Sequence, residues 1–230
     1  MTRRELIAAG AFGAAFGPAF AHPALAQQTA TRQMKSLPFD PTKLRGLSEK
    51  LLRSHYDNNY AGAFRRLGQI ETMISGLPKD APGFQLKGLK MEELIATNSV
   101  ILHEQYFGNL GGDGKASGTL QQAIAKQYGA FDKWEQEFRA TSNALGGGSG
   151  WAILSFNLRD GQLRNYIAFD HTDNVAFGRP ILVNDMFEHA YHIDYRSAAG
   201  RYVDAFMDNV KWDECNRRYE EATKIFALLK

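Results

Sequence analysis

Between Asn184 and Tyr195 the chain reads Asn-Asp-Met-Phe-Glu-His-Ala-Tyr-His-Ile-Asp-Tyr. Within it, Asp185, Glu188, His189 and His192 can each bind a metal or move a proton, and they sit among Phe187, Tyr191 and Tyr195 directly after the apolar run 181–183. Ionisable groups in so apolar a setting need partners or a metal. The residues alone leave two readings open, a metal or catalytic site and a satisfied polar core. Imidazoles beside carboxylates suit a redox metal and a hydrolytic zinc ion alike, so residue type does not decide.

The elements that must position this segment follow from periodicity. From Leu51 to Ile74, residues Leu52, Tyr56, Ala63, Leu67, Ile70 and Ile74 recur at helical spacing, which predicts a long amphipathic helix starting near Ser48. His55, Asn59 and Ala63 form a stripe beside its apolar face. Pro78 to Gly88 reads as a loop, and a second helix is expected from about Met91 to Asn109, with His103 at the edge of its buried side. A lone histidine on such a face is more often core than ligand, so neither His55 nor His103 stands out by itself. Gly111 to Gly118 breaks the pattern without a phosphate-binding frame. Helices return at 119–128 and 131–143. Trp151 to Leu158 alternates, Asp160-Gly161 signals a hairpin turn, and Gln162 to Phe169 forms its second arm. A third strand, 180–183, leads into Asp185, which should open a single closing helix. The class is α+β, with a helical hairpin first and a three-stranded antiparallel sheet with helices after it. The domains expected are 37–112 and 113–230.

With 230 residues, 44% of them hydrophobic, the chain can bury a sizeable core. A net charge of +2 without a dense basic block gives no ground for a nucleic-acid partner. The one cysteine, Cys215, excludes an intramolecular disulfide and a cysteine-rich zinc site. At the N-terminus, Thr2-Arg3-Arg4-Glu5-Leu6-Ile7, a mildly apolar stretch to Phe20 and Ala24-Leu25-Ala26 form a twin-arginine export signal over 1–26. Its apolar run is far shorter than the roughly 20 residues a membrane span needs. Cleavage after Ala26 would leave a polar, disordered linker over 27–36 and a periplasmic or otherwise exported product with no membrane association.

The order of one histidine on each hairpin helix, then Gly148-Ser149-Gly150-Trp151, then Asp185-x-x-Glu188-His189-Ala190-Tyr191 resembles the iron/manganese superoxide dismutase family, over nearly all of the chain from Leu37. The resemblance implies one iron or manganese ion per subunit, held by His55, His103, Asp185 and His189. It also implies disproportionation of superoxide to dioxygen and hydrogen peroxide, and a homodimer in which Glu188 bridges to His189 of a second subunit. The family arginine matched by Arg196 would attract the anionic substrate.

Several positions depart from that pattern. Where the family places a glutamine that orients the metal's solvent, this chain has Ser99 and His171, and the role falls to His171. Phe187 and Ile153 stand where tryptophans are usual. The family's gateway histidine and tyrosine become Asn59 and Ala63, and the tyrosine after Ala190-Tyr191 becomes His192. Asn59 and His192 are expected to meet across the dimer, with neither Tyr56 nor Tyr60 replacing the lost gateway tyrosine. The alternative is a weakly active or non-catalytic metal-binding relative.

Overall fold

Ser48 starts the first helix as its spacing suggests: its Oγ accepts from the Leu51 amide at 3.1 Å, and Glu49 in the first turn suits the positive helix end. The computed structural model describes residues 33–173 and 175–230, so the expected export signal and most of the linker lie outside the described residues. Helix α1 (Glu49–Ser54) runs into a π-helical turn (His55–Tyr60) and on into α2 (Ala61–Ser75). Leu51, Leu52, Leu67 and Ile70 bury its inner face. Met34–Lys230 forms one compact unit with a continuous core.

Helix α3 (Gly83–Gly108) completes the hairpin and begins eight residues earlier than Met91. Pro82 precedes its first turn, and its fixed φ suits a helix entry. Gly83 and Gly88 disguise the helix, and Phe84, 80% exposed, contributes nothing to an apolar face. The last residues of the expected linker are also held. The Lys35 amide donates to the Tyr60 hydroxyl at 2.9 Å, the Tyr56 hydroxyl donates to the Lys35 carbonyl at 2.7 Å, and the Lys35 ammonium pairs with Glu104. Those contacts satisfy the backbone at Lys35, so this end of the segment is ordered.

After α4 (Gly118–Tyr128) and α5 (Phe131–Asn143) come β1 (Trp151–Asn157), β2 (Gln162–Ala168) and β3 (Gly178–Asp185). The sheet is antiparallel in the order β2-β1-β3, with Trp151 opposite both Ala168 and Asp185. Gly161 takes φ +72° in the β1–β2 turn, a conformation that favours glycine. Gly150 is required for close approach, since a Cβ there would run into the Ala168 carbonyl. Helix α5 packs on β1 and β2, where the Trp134 indole donates to Asn165 at 2.9 Å, while α3 packs against β3.

The segment from Asn184 is not a helix opening. Asp185 is the last residue of β3, followed by a 3-10 turn (Glu188–Ala190) and the short α6 (His192–Tyr195). Backbone pairing of Asp185 with Trp151 outweighs the helical spacing of its side chains. Two more helices, α7 (Ala199–Asp208) and α8 (Trp212–Leu228), close the chain in place of the single one expected.

Candidate metal centre

Two side-chain connections bring the hairpin to the sheet. Fully buried Asn109, at the end of α3, accepts from the Val183 amide at 3.0 Å and donates to the Tyr106 carbonyl at 2.8 Å. Asp194 of α6 accepts from both the amide and the hydroxyl of Ser48, each at 2.7 Å, and so ties the turn after β3 to the start of α1. Asn109 fixes His103 relative to Asp185, and Asp194 fixes His55 relative to His189.

The result is a buried cluster. The Nε2 atoms of His55, His189 and His103 lie 3.0, 3.2 and 3.7 Å from one oxygen, Asp185 Oδ2. Taking one ligand atom from each of the four residues, all lie within 4.8 Å of one another. Asp185 Oδ1 is committed elsewhere, accepting from the Phe187 amide at 2.9 Å, and the Tyr202 hydroxyl donates to the Asp185 carbonyl at 2.7 Å. His103 donates from Nδ1 to the Ser99 carbonyl at 2.7 Å, which leaves the Nε2 lone pair facing the cluster. That Nε2 is buried without a hydrogen-bond partner among the described residues. A buried acceptor with no partner beside two more imidazoles and a carboxylate is a donor set suited to a divalent or trivalent first-row metal. Tyr106, Phe107, Trp151 and Phe187 wall the site with rings.

Electrostatics agree with an ionised Asp185 and with neutral rings at His55 and His103. Burial opposes ionisation of Asp185, but the His189 and His55 rings outweigh it and hold the carboxyl well below its usual range. Burial, and after it the nearby His55 ring, pushes the His103 imidazole down to about 3, and burial lowers His55 as well. In an unfolded chain a histidine takes up its proton near pH ~6.5. Between that pH and about 3 the unfolded state therefore binds more protons than the folded state does at His103. His103's contribution to the stability of the metal-free protein is thus fully present above pH ~6.5 and is lost as pH falls toward about 3. The urea midpoint should fall across this window, and a midpoint independent of pH from 7 to 4 would contradict the assignment.

His171 stands beside this cluster. Its Nδ1 accepts from the Trp151 indole at 2.9 Å, its ring stacks on Phe187 at 4.9 Å, and its centroid lies 6.3 Å from that of His103. Asn59 is half-buried and His192 exposed, and no hydrogen bond joins them within the chain. The π-helical turn alters the expected stripe: where bonds run from i to i+5, the residue above His55 is Tyr60 rather than Asn59. Tyr60 is accordingly buried, yet its hydroxyl donates to Glu104 at 3.0 Å, and that of Tyr56 is engaged by Lys35. Neither hydroxyl is available to the cluster. Ala63 is half-buried. Arg196 is exposed and holds φ +50°, an uncommon backbone conformation for a residue with a side chain.

Sequence reasoning missed Tyr202, Trp151 as the partner of His171, and the π-helical turn. Only Ser99, four residues before His103 on one helix, carried a local signal.

The fold and site define an α+β protein with, among the described residues, one buried centre of three histidines and one aspartate. Residues 116–218 match the model of the iron/manganese superoxide dismutases, C-terminal domain. The chain is 50% identical over 193 residues to a superoxide dismutase [Fe] of Cupriavidus metallidurans, covering 84% of this chain and 98% of that protein. It is 32% identical over 199 residues to a superoxide dismutase [Fe] of Aquifex pyrophilus, covering 83% and 92%. It is likewise 32% identical over 200 residues to superoxide dismutase [Mn] 2 of Haloferax volcanii, covering 84% and 98%. The chain belongs to the iron/manganese superoxide dismutase family.

Proposed function

We propose that the protein is a superoxide dismutase with one iron or manganese ion held by His55, His103, Asp185 and His189. The observation that carries this reading is the convergence of these four residues' ligand atoms, with His103 Nε2 buried and unpartnered, in a chain of this family. When bound, the ion supplies the one-electron exchange that turns two superoxide anions into dioxygen and hydrogen peroxide. The chain's own residues hold the chemistry in place. Asp185 brings the negative charge, Ser99 and Phe187 orient His103 and Asp185, and the ring wall limits access of water. His171 keeps one donor, Nε2–H, because the Trp151 indole occupies Nδ1, and this donor is suited to orienting solvent beside the ion. Arg196, exposed beyond the ligand segment, adds positive charge for an anionic substrate.

The test is metal analysis of protein purified without added metal, followed by superoxide assays after reconstitution with iron or with manganese. One ion per subunit and metal-dependent turnover are expected. Relatives named for either metal exist, so reconstitution also selects between them. Stoichiometric binding without turnover would favour the weakly active relative, a reading that draws on Ala63 and on the engaged Tyr56 and Tyr60 hydroxyls.

The assembly read from the resemblance is a homodimer in which exposed Glu188 bridges to His189 of a second subunit and Asn59 meets His192. His192→Ala should then slow peroxide release while sparing the metal. A monomer by sedimentation would remove both contacts. For location, Arg3-Arg4 and Ala24-Leu25-Ala26 support twin-arginine export to the periplasm. Among the described residues no helix is long and apolar enough to cross a membrane. Replacing Arg3 and Arg4 together by Lys should leave uncleaved, folded protein in the cytoplasm, whereas the normal product should begin at Gln27. Normal processing of the double variant would exclude this route.

A further inference from the structure

Two long-range links tie the hairpin histidines to the end of the sheet, Asn109 for His103 and Asp194 for His55. A third is needed to set the two histidines against each other, and His55 is the less restrained of the pair. A metal-ligating histidine usually donates its other ring N–H to an oxygen, which fixes the ring. His103 does so through Ser99, but His55 Nδ1 is buried with no hydrogen-bond partner among the described residues. Where the His55 ring stands therefore depends on the π-helical turn that carries it and on the rings around it, Tyr106 and Phe107, each at 5.0 Å.

That turn is pinned from outside. Tyr60, at its end, is 1% exposed and packs its ring 6.4 Å from that of His103. Its hydroxyl uses both of its capacities: it accepts from the Lys35 amide at 2.9 Å and donates at 3.0 Å to Glu104, the residue after His103 on α3. The Lys35 ammonium closes the circuit on the second Glu104 oxygen, and the Lys35 carbonyl accepts from Tyr56, next to His55, at 2.7 Å. One segment thus holds the turn beside His55, the far end of that turn and the helix residue beside His103. These contacts differ in weight. The Lys35 side chain is 71% exposed, and an ion pair so open to water contributes little, whereas Glu104 is only 15% exposed and its charge needs the Tyr60 hydroxyl.

We infer that Tyr60, Glu104 and the backbone of Lys35 are positioning residues that set His55 against His103 for the ion. The inference rests on the metal centre proposed above and adds to it the segment before α1, which reaches the ligands only through Tyr56, Tyr60 and Glu104. With no hydrogen bond on His55 Nδ1 to hold the ring, loss of the Tyr60 bonds frees the end of its turn, and the spacing of the two imidazoles loosens.

The test reads the ligands with and without metal. In the metal-free chain, the imidazole resonances of His55 and His103 should move in Tyr60→Phe. Glu104→Gln, which keeps an oxygen for the Tyr60 hydroxyl, should leave them near the parent positions. In the chain loaded with iron or manganese, release of the ion to a chelator should be about 10-fold faster in Tyr60→Phe, the lower end of what groups supporting a ligand command. Glu104→Ala should match it, and the double variant should release no faster than either single one, since both remove the same bond. Lys35→Pro, which has no amide N–H, should also speed release, and Lys35→Met, which removes only the ammonium, far less. Should Tyr60→Phe fail to fold, Glu104→Ala and Lys35→Pro carry both measurements. A parent chain that takes up neither ion counts against the metal centre, and the metal-free resonances then decide the positioning role by themselves. Unmoved His55 and His103 resonances in Tyr60→Phe, an unchanged release rate in its loaded form, or additive losses in the double variant would each overturn the inference.

Discussion

Asp185→Ala is expected to lose stoichiometric iron or manganese and, with it, superoxide turnover, while circular dichroism still reports a folded chain. The reason is the position of one oxygen. Asp185 Oδ2 lies 3.0 to 3.7 Å from three imidazole nitrogens, and Asp185 brings the only carboxylate of the four-residue cluster. Removing it leaves three neutral rings around a cation with no compensating charge. Changes to groups that merely support ligands lower affinity or activity by about 10- to 100-fold, so loss of a ligand should exceed that range. Asp185→Asn separates charge from shape. Its side-chain oxygen can still accept from the Phe187 amide, keeping the turn, but the negative charge is gone. It should keep the fold but lose the stability that the ionised Asp185 draws from the His189 and His55 rings, and bind metal poorly. Full metal occupancy with normal rates in Asp185→Ala would dismiss the ligand assignment.

How far the sequence carried this picture depends on how local each determinant is. The hairpin arms of the sheet were legible because Trp151 to Leu158 alternates and Asp160-Gly161 supplies a turn, and both operate within a few residues. The start of α3 was not, because Gly83, exposed Phe84 and Gly88 present no apolar stripe to read. The ligand segment misled in a different way. Asp185 and His189 are four apart, the spacing of a helix face, yet their side chains meet because a 3-10 turn doubles the chain back after a strand. Nor could periodicity single out His55 and His103 from other helical histidines. What makes them partners of Asp185 is Asn109 on Val183, 74 residues away, and Asp194 on Ser48, 146 residues away. Such long-range contacts leave no mark on local pattern, and only the family resemblance pointed to those two histidines.

The other large effect is expected at His171, which the resemblance nominated and whose surroundings now define a specific chemical state. An indole N–H can only donate, so the 2.9 Å contact from Trp151 Nε1 requires a lone pair on His171 Nδ1. In the neutral ring the proton is then on Nε2, and burial lowers the pKa of the ring, which favours that neutral form. Asn98 holds the His171 backbone carbonyl, and Phe187 stacks on both His171, at 4.9 Å, and His189, at 5.4 Å. The ring is thus a fixed single donor beside the ligands. His171→Ala should keep the metal and lose about 10- to 100-fold in turnover. His171→Gln, which restores an amide donor, should recover part of the rate and shift the preference between iron and manganese. Trp151→Phe releases Nδ1 and lets the proton move between the two nitrogens, so it should cost turnover in the parent but little more in His171→Ala, a non-additivity that a purely structural tryptophan would not produce. Unchanged rates and metal preference in both His171 variants would make it a packing residue of the segment after β2, and additive losses in the double variant would break the link to Trp151.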